Sequence, residues 1–195
     1  MKSQTIDLVS TAFLNNPRIK SFVGGDSTSI NKVKPIIEYA YDIVKRLKGI
    51  HYSSNKKAVI FYYQKSKFNK TWKDRMNYFK IIFKSIGLNR TLPIYFREQN
   101  VRGLRAEDKD YLYVWFLAQS VDYNKLDGLL ELNRHLIEKS EALGLPILIE
   151  TTDKRNLIMY KRIGFKIYNT WEDEENNLTV WYMRRDIKIN VECSI

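Results

Sequence analysis

The sequence has little cysteine, histidine, proline or glycine. Of 195 residues, one is cysteine (Cys193), two are histidine, four are proline and eight are glycine. A single cysteine excludes an intramolecular disulfide and a cysteine-rich metal cage, and it fits a reducing compartment. Two histidines leave little for zinc, so no metal site is expected. The prolines and glycines are scattered, which leaves no Pro/Gly/Ser linker, low-complexity tract or repeat. No window approaches the ~20 apolar residues of a membrane span, and the opening MKSQTIDLVSTAFLNN lacks an apolar run after its lysine. The expectation is a soluble, cytoplasmic protein with no membrane partner.

What is present is enough for a core. Hydrophobic residues make up 44% and aromatics 13%, and the length suits one globular domain of ~150 residues or slightly more. Net charge is +11 and unevenly spread: residues 1–100 hold 19 Lys/Arg against 6 Asp/Glu, residues 101–195 hold 14 against 16. The densest stretch, 51–100, includes Lys56, Lys57, Lys65, Lys67, Lys70 and Lys73. Such a stripe attracts nucleic acid, an anionic surface or an acidic substrate, or is simply a solvated face. No zinc-finger or RNP-type motif accompanies it, so nucleic acid is not the expected partner.

Periodicity predicts a helix over 4–14, stopped by Asn15-Asn16-Pro17, and a second over 33–47 with Ile36, Ile37, Tyr39, Ala40, Ile43 and Val44 buried. Pro35 is expected in that helix's first turn, where its missing N–H costs nothing. Strands at 50–53 and 58–63 form a hairpin, and a helix over 72–86 turns Met76, Phe79, Ile82 and Phe83 to one side. The run Tyr111 to Ala118 is nearly continuous apolar and aromatic, as a strand covered on both faces requires. A helix over 128–143, a strand at 146–150, a helix over 155–163 and strands at 165–171 and 178–183 complete a β-α-β-α-β-β second half.

In that half the run Glu150-Thr151-Thr152-Asp153-Lys154-Arg155-Asn156-Leu157-Ile158-Met159-Tyr160-Lys161-Arg162-Ile163-Gly164-Phe165 resembles the strand-to-helix segment of the GNAT superfamily of N-acetyltransferases, ETS-x-x-x-N-x-x-x-Y-x-x-x-GF. Residues 117–143 are similar to that superfamily's preceding strand, acyl-CoA loop and helix. Asp7, Ala12, Phe13 and Pro17 match the D-x-x-x-x-AF-x-x-xP opening of some members. The resemblance implies an α+β fold, a GNAT-like mixed central β-sheet flanked by helices, as one domain over 1–195. Residues 1–110 would form the acceptor side, 111–186 the acyl-CoA-binding half and 187–195 a tail.

By the same resemblance, the reaction is acetyl transfer from acetyl-CoA to a primary amine. Asn156 would bond the pantetheine arm, and Tyr160, one turn on and on the same helix face, would protonate the departing thiolate. The strand end from Gln119 to Val121 would present backbone groups to the co-substrate. Glu150 is the leading candidate base, with His51 and His135 as alternatives by residue type, and ordered water suffices where no base is present. The superfamily's phosphate loop, Q/R-x-x-G-x-G/A, closes backbone N–H groups around the pyrophosphate at a helix N-terminus. Here it falls on Asn124-Lys125-Leu126-Asp127-Gly128-Leu129. Asp127 replaces the first glycine and Leu129 the second small residue, while Lys125 offers a counter-charge. Asp127 also suits a helix cap with or without a ligand. The alternative is therefore a GNAT-fold binding module that has lost acetyl-CoA activity and contacts an acidic partner through its basic N-terminal half.

Overall fold

The structure is a computed structural model that describes residues 1–24, 29–81, 85, 103–105 and 110–187. Helix α1 (Lys2–Phe13) matches the periodicity, but Asn15-Asn16-Pro17 is a start as well as a stop. Asn16 accepts from the N–H groups of Arg18 and Ile19, and Pro17 takes the first helical position of α2 (Pro17–Val23), where its fixed φ is already helical. Helix α3 (Ile30–Arg46) begins earlier than expected. Pro35 therefore lies beyond the first turn and removes one internal hydrogen bond. Burial of Val33, Ile37, Ala40, Ile43 and Val44 on its core face holds the helix regardless.

Strands β1 (Ile50–Tyr52) and β2 (Ala58–Gln64) form the expected hairpin. Gly49, leading into it, is obligatory, since a Cβ there would lie 1.7 Å from the carbonyl oxygen of Tyr62. Helix α4 spans Trp72–Ile81. Of the rest of the expected helix, residues 82–84, with Ile82 and Phe83, and residue 86 lie outside the described residues, as does Cys193. Met76 and Phe79, on the apolar side read from the sequence, are 45% and 54% exposed. The core side of α4 is instead Asp74 and Ile81, because Asp74 is tied inward to Arg46 and Thr71. Strand β3 (Leu112–Gln119), helix α5 (Asp127–Leu143), strand β4 (Ile147–Thr151), helix α6 (Lys154–Arg162) and strands β5 (Lys166–Asp173) and β6 (Leu178–Arg185) follow as read from the sequence.

The six described strands form one sheet in the order β1-β2-β3-β4-β6-β5, antiparallel except for β3 beside β4. Side-chain alternation separates its two faces. Val59, Phe61 and Tyr63 of β2 pack with α1, α2 and α3, while Ala58, Ile60 and Tyr62 pack with α5 and α6. The fold is α+β, a mixed sheet with helices on both faces.

Two local features open this sheet. The β2–β3 register runs Phe61 to Phe116 and then Tyr62 to Val114, which leaves Trp115 as an extra residue, a β-bulge. The parallel β3–β4 pairing stops at the same point, with Val114 opposite Ile149, although β3 continues to Gln119 and β4 to Thr151. The two carboxyl-terminal strand ends therefore part beyond Val114.

Candidate active site

A cavity of about 590 Å³ occupies that gap. Ligands of open sheets bind at such a crevice beyond the carboxyl ends of parallel strands. On one side it is walled by Leu117, Ile149, Thr151, Thr152, Asn156 and Tyr160, and on the other by an aromatic group from four elements and a loop. Trp115, put on this face by the bulge, stands with its ring centroid 6.2 Å from Tyr39, 5.8 Å from Tyr63 and 6.1 Å from Phe68. Tyr78 of α4 lies 6.0 Å from Tyr39.

Tyr160 is buried against Phe165. Burial pushes its hydroxyl pKa well above the ordinary value, with Asp153 adding to the shift, so the phenol stays protonated. Asn156 is exposed at the cavity, one turn earlier, and its side chain has no hydrogen-bond partner among the described residues. The turn that presents both is fixed by Asp153, whose carboxylate accepts from the N–H of Arg155 at 2.7 Å. Beside them the hydroxyl of Thr152 is buried with no hydrogen-bond partner among the described residues. A buried, unbonded hydroxyl is costly unless a ligand satisfies it.

Glu150 lies in the same cavity, with its side chain 5% exposed. The Arg18 guanidinium donates to its Oε2, and Arg105 Nε donates to its Oε1 at 2.5 Å. Arg105 also donates to the Tyr113 hydroxyl at 2.9 Å and stacks over that ring. Burial alone would raise the Glu150 pKa, but the two guanidinium groups overcome it and bring it down from 4.5 to about 2. Arg18 and Arg105 come from α2 and from a short segment before β3. Neither was expected from the sequence, since the pairs span 132 and 45 residues and no local pattern marks them.

The residues expected around the phosphates are arranged differently. Val121, Asn124, Lys125, Leu126 and Asp127 are exposed, and none lines the cavity. Gln119 ends β3, donates to the Tyr123 carbonyl at 2.7 Å and keeps its own oxygen buried without a partner among the described residues. Asp127 is not the cap of α5. Leu126 occupies that position and Asp127 is the first helical residue, because its carboxylate is turned onto the helix itself. It accepts from the N–H of Gly128 at 2.9 Å and from the Tyr123 hydroxyl at 2.7 and 2.8 Å, which lowers its pKa. Glu131 likewise takes the N–H and hydroxyl of Ser54. Gly128 is a packing residue: a Cβ there would come within 3.2 Å of Ala58 and 3.3 Å of Ser53. Leu129 packs into the core between α5 and the sheet. His51 and His135 stack on each other with ring centroids 3.6 Å apart, and neither lines the cavity.

No family model matches the chain, and no curated protein matches it. Solved structures do. A protein described as histone acetyltransferase HPA2 and related acetyltransferase, from Corynebacterium glutamicum, superposes with a TM-score of 0.67 at 15% identity, over 97% of this chain and 93% of its own. The C-terminal condensation domain of Ebony, in complex with beta-alanyl-dopamine, gives 0.67 at 8% identity, over 95% and 94%. Arylalkylamine N-acetyltransferase 2 from Aedes aegypti gives 0.56 at 13% identity, over 95% of each. The chain has the GNAT-type fold that these structures share. The parted β3 and β4, the bulge at Trp115 and the helices after each strand are this chain's version of it. Thr152, Asn156 and Tyr160 place polar groups at this crevice, whereas at the N-terminus of α5 the Asp127 carboxylate already takes a helix N–H. Among the described residues no cluster of three metal-ligating side chains occurs, and no helix is long and apolar enough to cross a membrane.

Proposed function

We propose that the protein is an N-acetyltransferase that moves an acetyl group from acetyl-CoA to a primary amine. The observation that carries this reading is the gap between β3 and β4, with Asn156, Tyr160 and the unbonded Thr152 hydroxyl on one wall. Asn156 and Thr152 would hold the pantetheine arm. Bound acetyl-CoA supplies an activated carbonyl. Tyr160, kept neutral by burial, holds its proton on Oη in readiness for a departing thiolate. The same desolvation that weakens the phenol as an acid also raises the basicity of a thiolate beside it, so the two shifts oppose each other.

Glu150 takes a different role from the base expected of it. A carboxylate with a pKa near 2 is a poor proton acceptor at neutral pH, and we assign it to holding Arg18 and Arg105 at the cavity. The amine proton then leaves to water. The aromatic end supports an acceptor with an apolar or aromatic body, and one structural neighbour is arylalkylamine N-acetyltransferase 2 and another a mosquito arylalkylamine N-acetyltransferase like 5b. The test is to incubate the protein with acetyl-CoA and a panel of aryl- and alkylamines, following thiol release and the mass of the amine. Amine-dependent thiol release with a matching acetyl adduct supports the reading. Its absence across the panel refutes it.

One observation favours a second reading, a GNAT-fold module that no longer binds acetyl-CoA: the Asp127 carboxylate occupies the α5 N-terminus. That reading requires acetyl-CoA to leave the protein's melting temperature unchanged.

A further inference from the structure

Helix α4 is apolar on two opposite sides. Tyr78 and Ile81 line the cavity, and its only acidic residue, Asp74, points inward, bonded to the Thr71 N–H at 2.7 Å and to Arg46 at 2.7 Å. On the other side stand Trp72, Met76 and Phe79, spaced i, i+4 and i+7 and so within about 60° of the helix circumference. They are 76%, 45% and 54% exposed. Burying side chains of this size in the core is the rule, and a contiguous exposed stripe of them marks an interaction surface.

The surroundings of the stripe indicate what it meets. Lys73 and Arg75 are exposed on its two flanks, and exposed Lys67 lies on the segment leading into the helix. No exposed acidic residue lies among the described positions 65–79, since Asp74 is buried and paired. A convex helix carrying a tryptophan-led apolar ridge between cations is suited to the boundary between headgroups and acyl chains. The ridge buries a few ångströms deep there while the cations meet anionic phosphates. Nucleic acid would be better served by a concave basic groove with aromatic platforms, which this ridge is not.

We propose that the outer face of α4 docks the protein onto an anionic lipid bilayer through Trp72, Met76 and Phe79, with Lys73, Arg75 and Lys67 contacting the headgroups. Because Tyr78 and Ile81 wall the cavity from the opposite side of the same helix, docking brings the aromatic end of the cavity to the membrane surface. This goes beyond the proposed acetyl transfer and is tested by binding alone.

The experiment is co-sedimentation of the full chain with vesicles of phosphatidylcholine, with and without phosphatidylserine, at several salt concentrations. Binding is expected to vesicles containing phosphatidylserine, to weaken with salt, and to shift tryptophan emission to the blue, a shift that Trp72→Phe reduces. Lys73→Glu with Arg75→Glu should lower partitioning by more than about fivefold, the loss expected for even one basic contact. Trp72→Ser with Phe79→Ser should lower it while leaving the melting temperature within a few degrees of wild type. The salt dependence and emission shift are measured on the wild type, so they stand even if a variant folds poorly. No binding to phosphatidylserine vesicles, or equal binding by both double variants, overturns the proposal. So does binding to DNA or RNA that the same variants abolish while vesicles are ignored.

Discussion

Replacing Glu150 with glutamine leaves the shape of the side chain and removes the charge that two guanidinium groups share. A carboxyl whose pKa falls from 4.5 to about 2 on folding is held about 2.5 pH units below its ordinary value. At about 1.4 kcal/mol per unit, that is on the order of 3 kcal/mol of stability at neutral pH. The side chain is only 5% exposed, so solvent screening takes little from this figure. Breaking a buried ion pair from one side costs ~3–5 kcal/mol by an independent route. The two agree, and in a chain of this length each kcal/mol moves the melting temperature by about 2–4 °C. Glu150→Gln should therefore melt roughly 6–20 °C below wild type at pH 7.

The pH dependence carries the sign. A folded-state pKa below the unfolded one gives stability that is present above about 4.5 and lost as pH falls toward 2. The gap between wild type and variant, measured as urea midpoints at a series of pH values, should narrow across that window. A gap under about 1 kcal/mol at pH 7, well short of the ~3 kcal/mol expected of a broken buried pair, would refute the reasoning. So would a gap that stays constant from pH 7 to pH 3.

Three further outcomes test the site. Tyr160→Phe should lower kcat on an accepted amine by roughly 10²-fold or more while leaving the Kd for acetyl-CoA nearly unchanged; unchanged turnover would remove Tyr160 from the chemistry. Thr152→Val should leave stability unchanged or slightly raised, because the hydroxyl it removes is buried and unbonded, yet weaken acetyl-CoA by roughly threefold to tenfold. A stability loss without an affinity loss, read from melting and titration, would make Thr152 structural. Asp127→Asn should tighten acetyl-CoA by roughly threefold at low salt, by removing a negative charge from the α5 N-terminus; weaker binding would mean that the phosphates lie elsewhere. Leu129 is left in place because it belongs to the core.

The second half of the fold was legible because its signals are local. The apolar run of β3, the helical spacing of Leu132 and Leu136, and the segment from Glu150 to Phe165 each lie within one element and its flanks. Helix α2 was not legible, since Asn16-Pro17 ends one helix and caps the next with the same residues. The gap that makes the site was hidden for a different reason. An apolar strand reads the same whether its neighbour stays paired or departs, and the bulge at Trp115 depends on register with β2. The aromatic end assembles Tyr39, Tyr63, Phe68, Tyr78 and Trp115 from separate segments, so no local pattern marks it. In the loop, the departures at Asp127 and Leu129 were visible as missing small residues. Their partners, Tyr123 and the α5 core, required the folded chain.

The central claim, that the parted β3 and β4 receive the thioester end of acetyl-CoA, is tested most directly by calorimetric titration of acetyl-CoA into wild-type protein, with Thr152→Phe alongside to fill the opening. The account predicts one site per chain in the wild type, matched by desulfo-CoA, and none in Thr152→Phe at equal folded content. Absence of binding by the wild type at millimolar acetyl-CoA, or equal binding by Thr152→Phe, would contradict it.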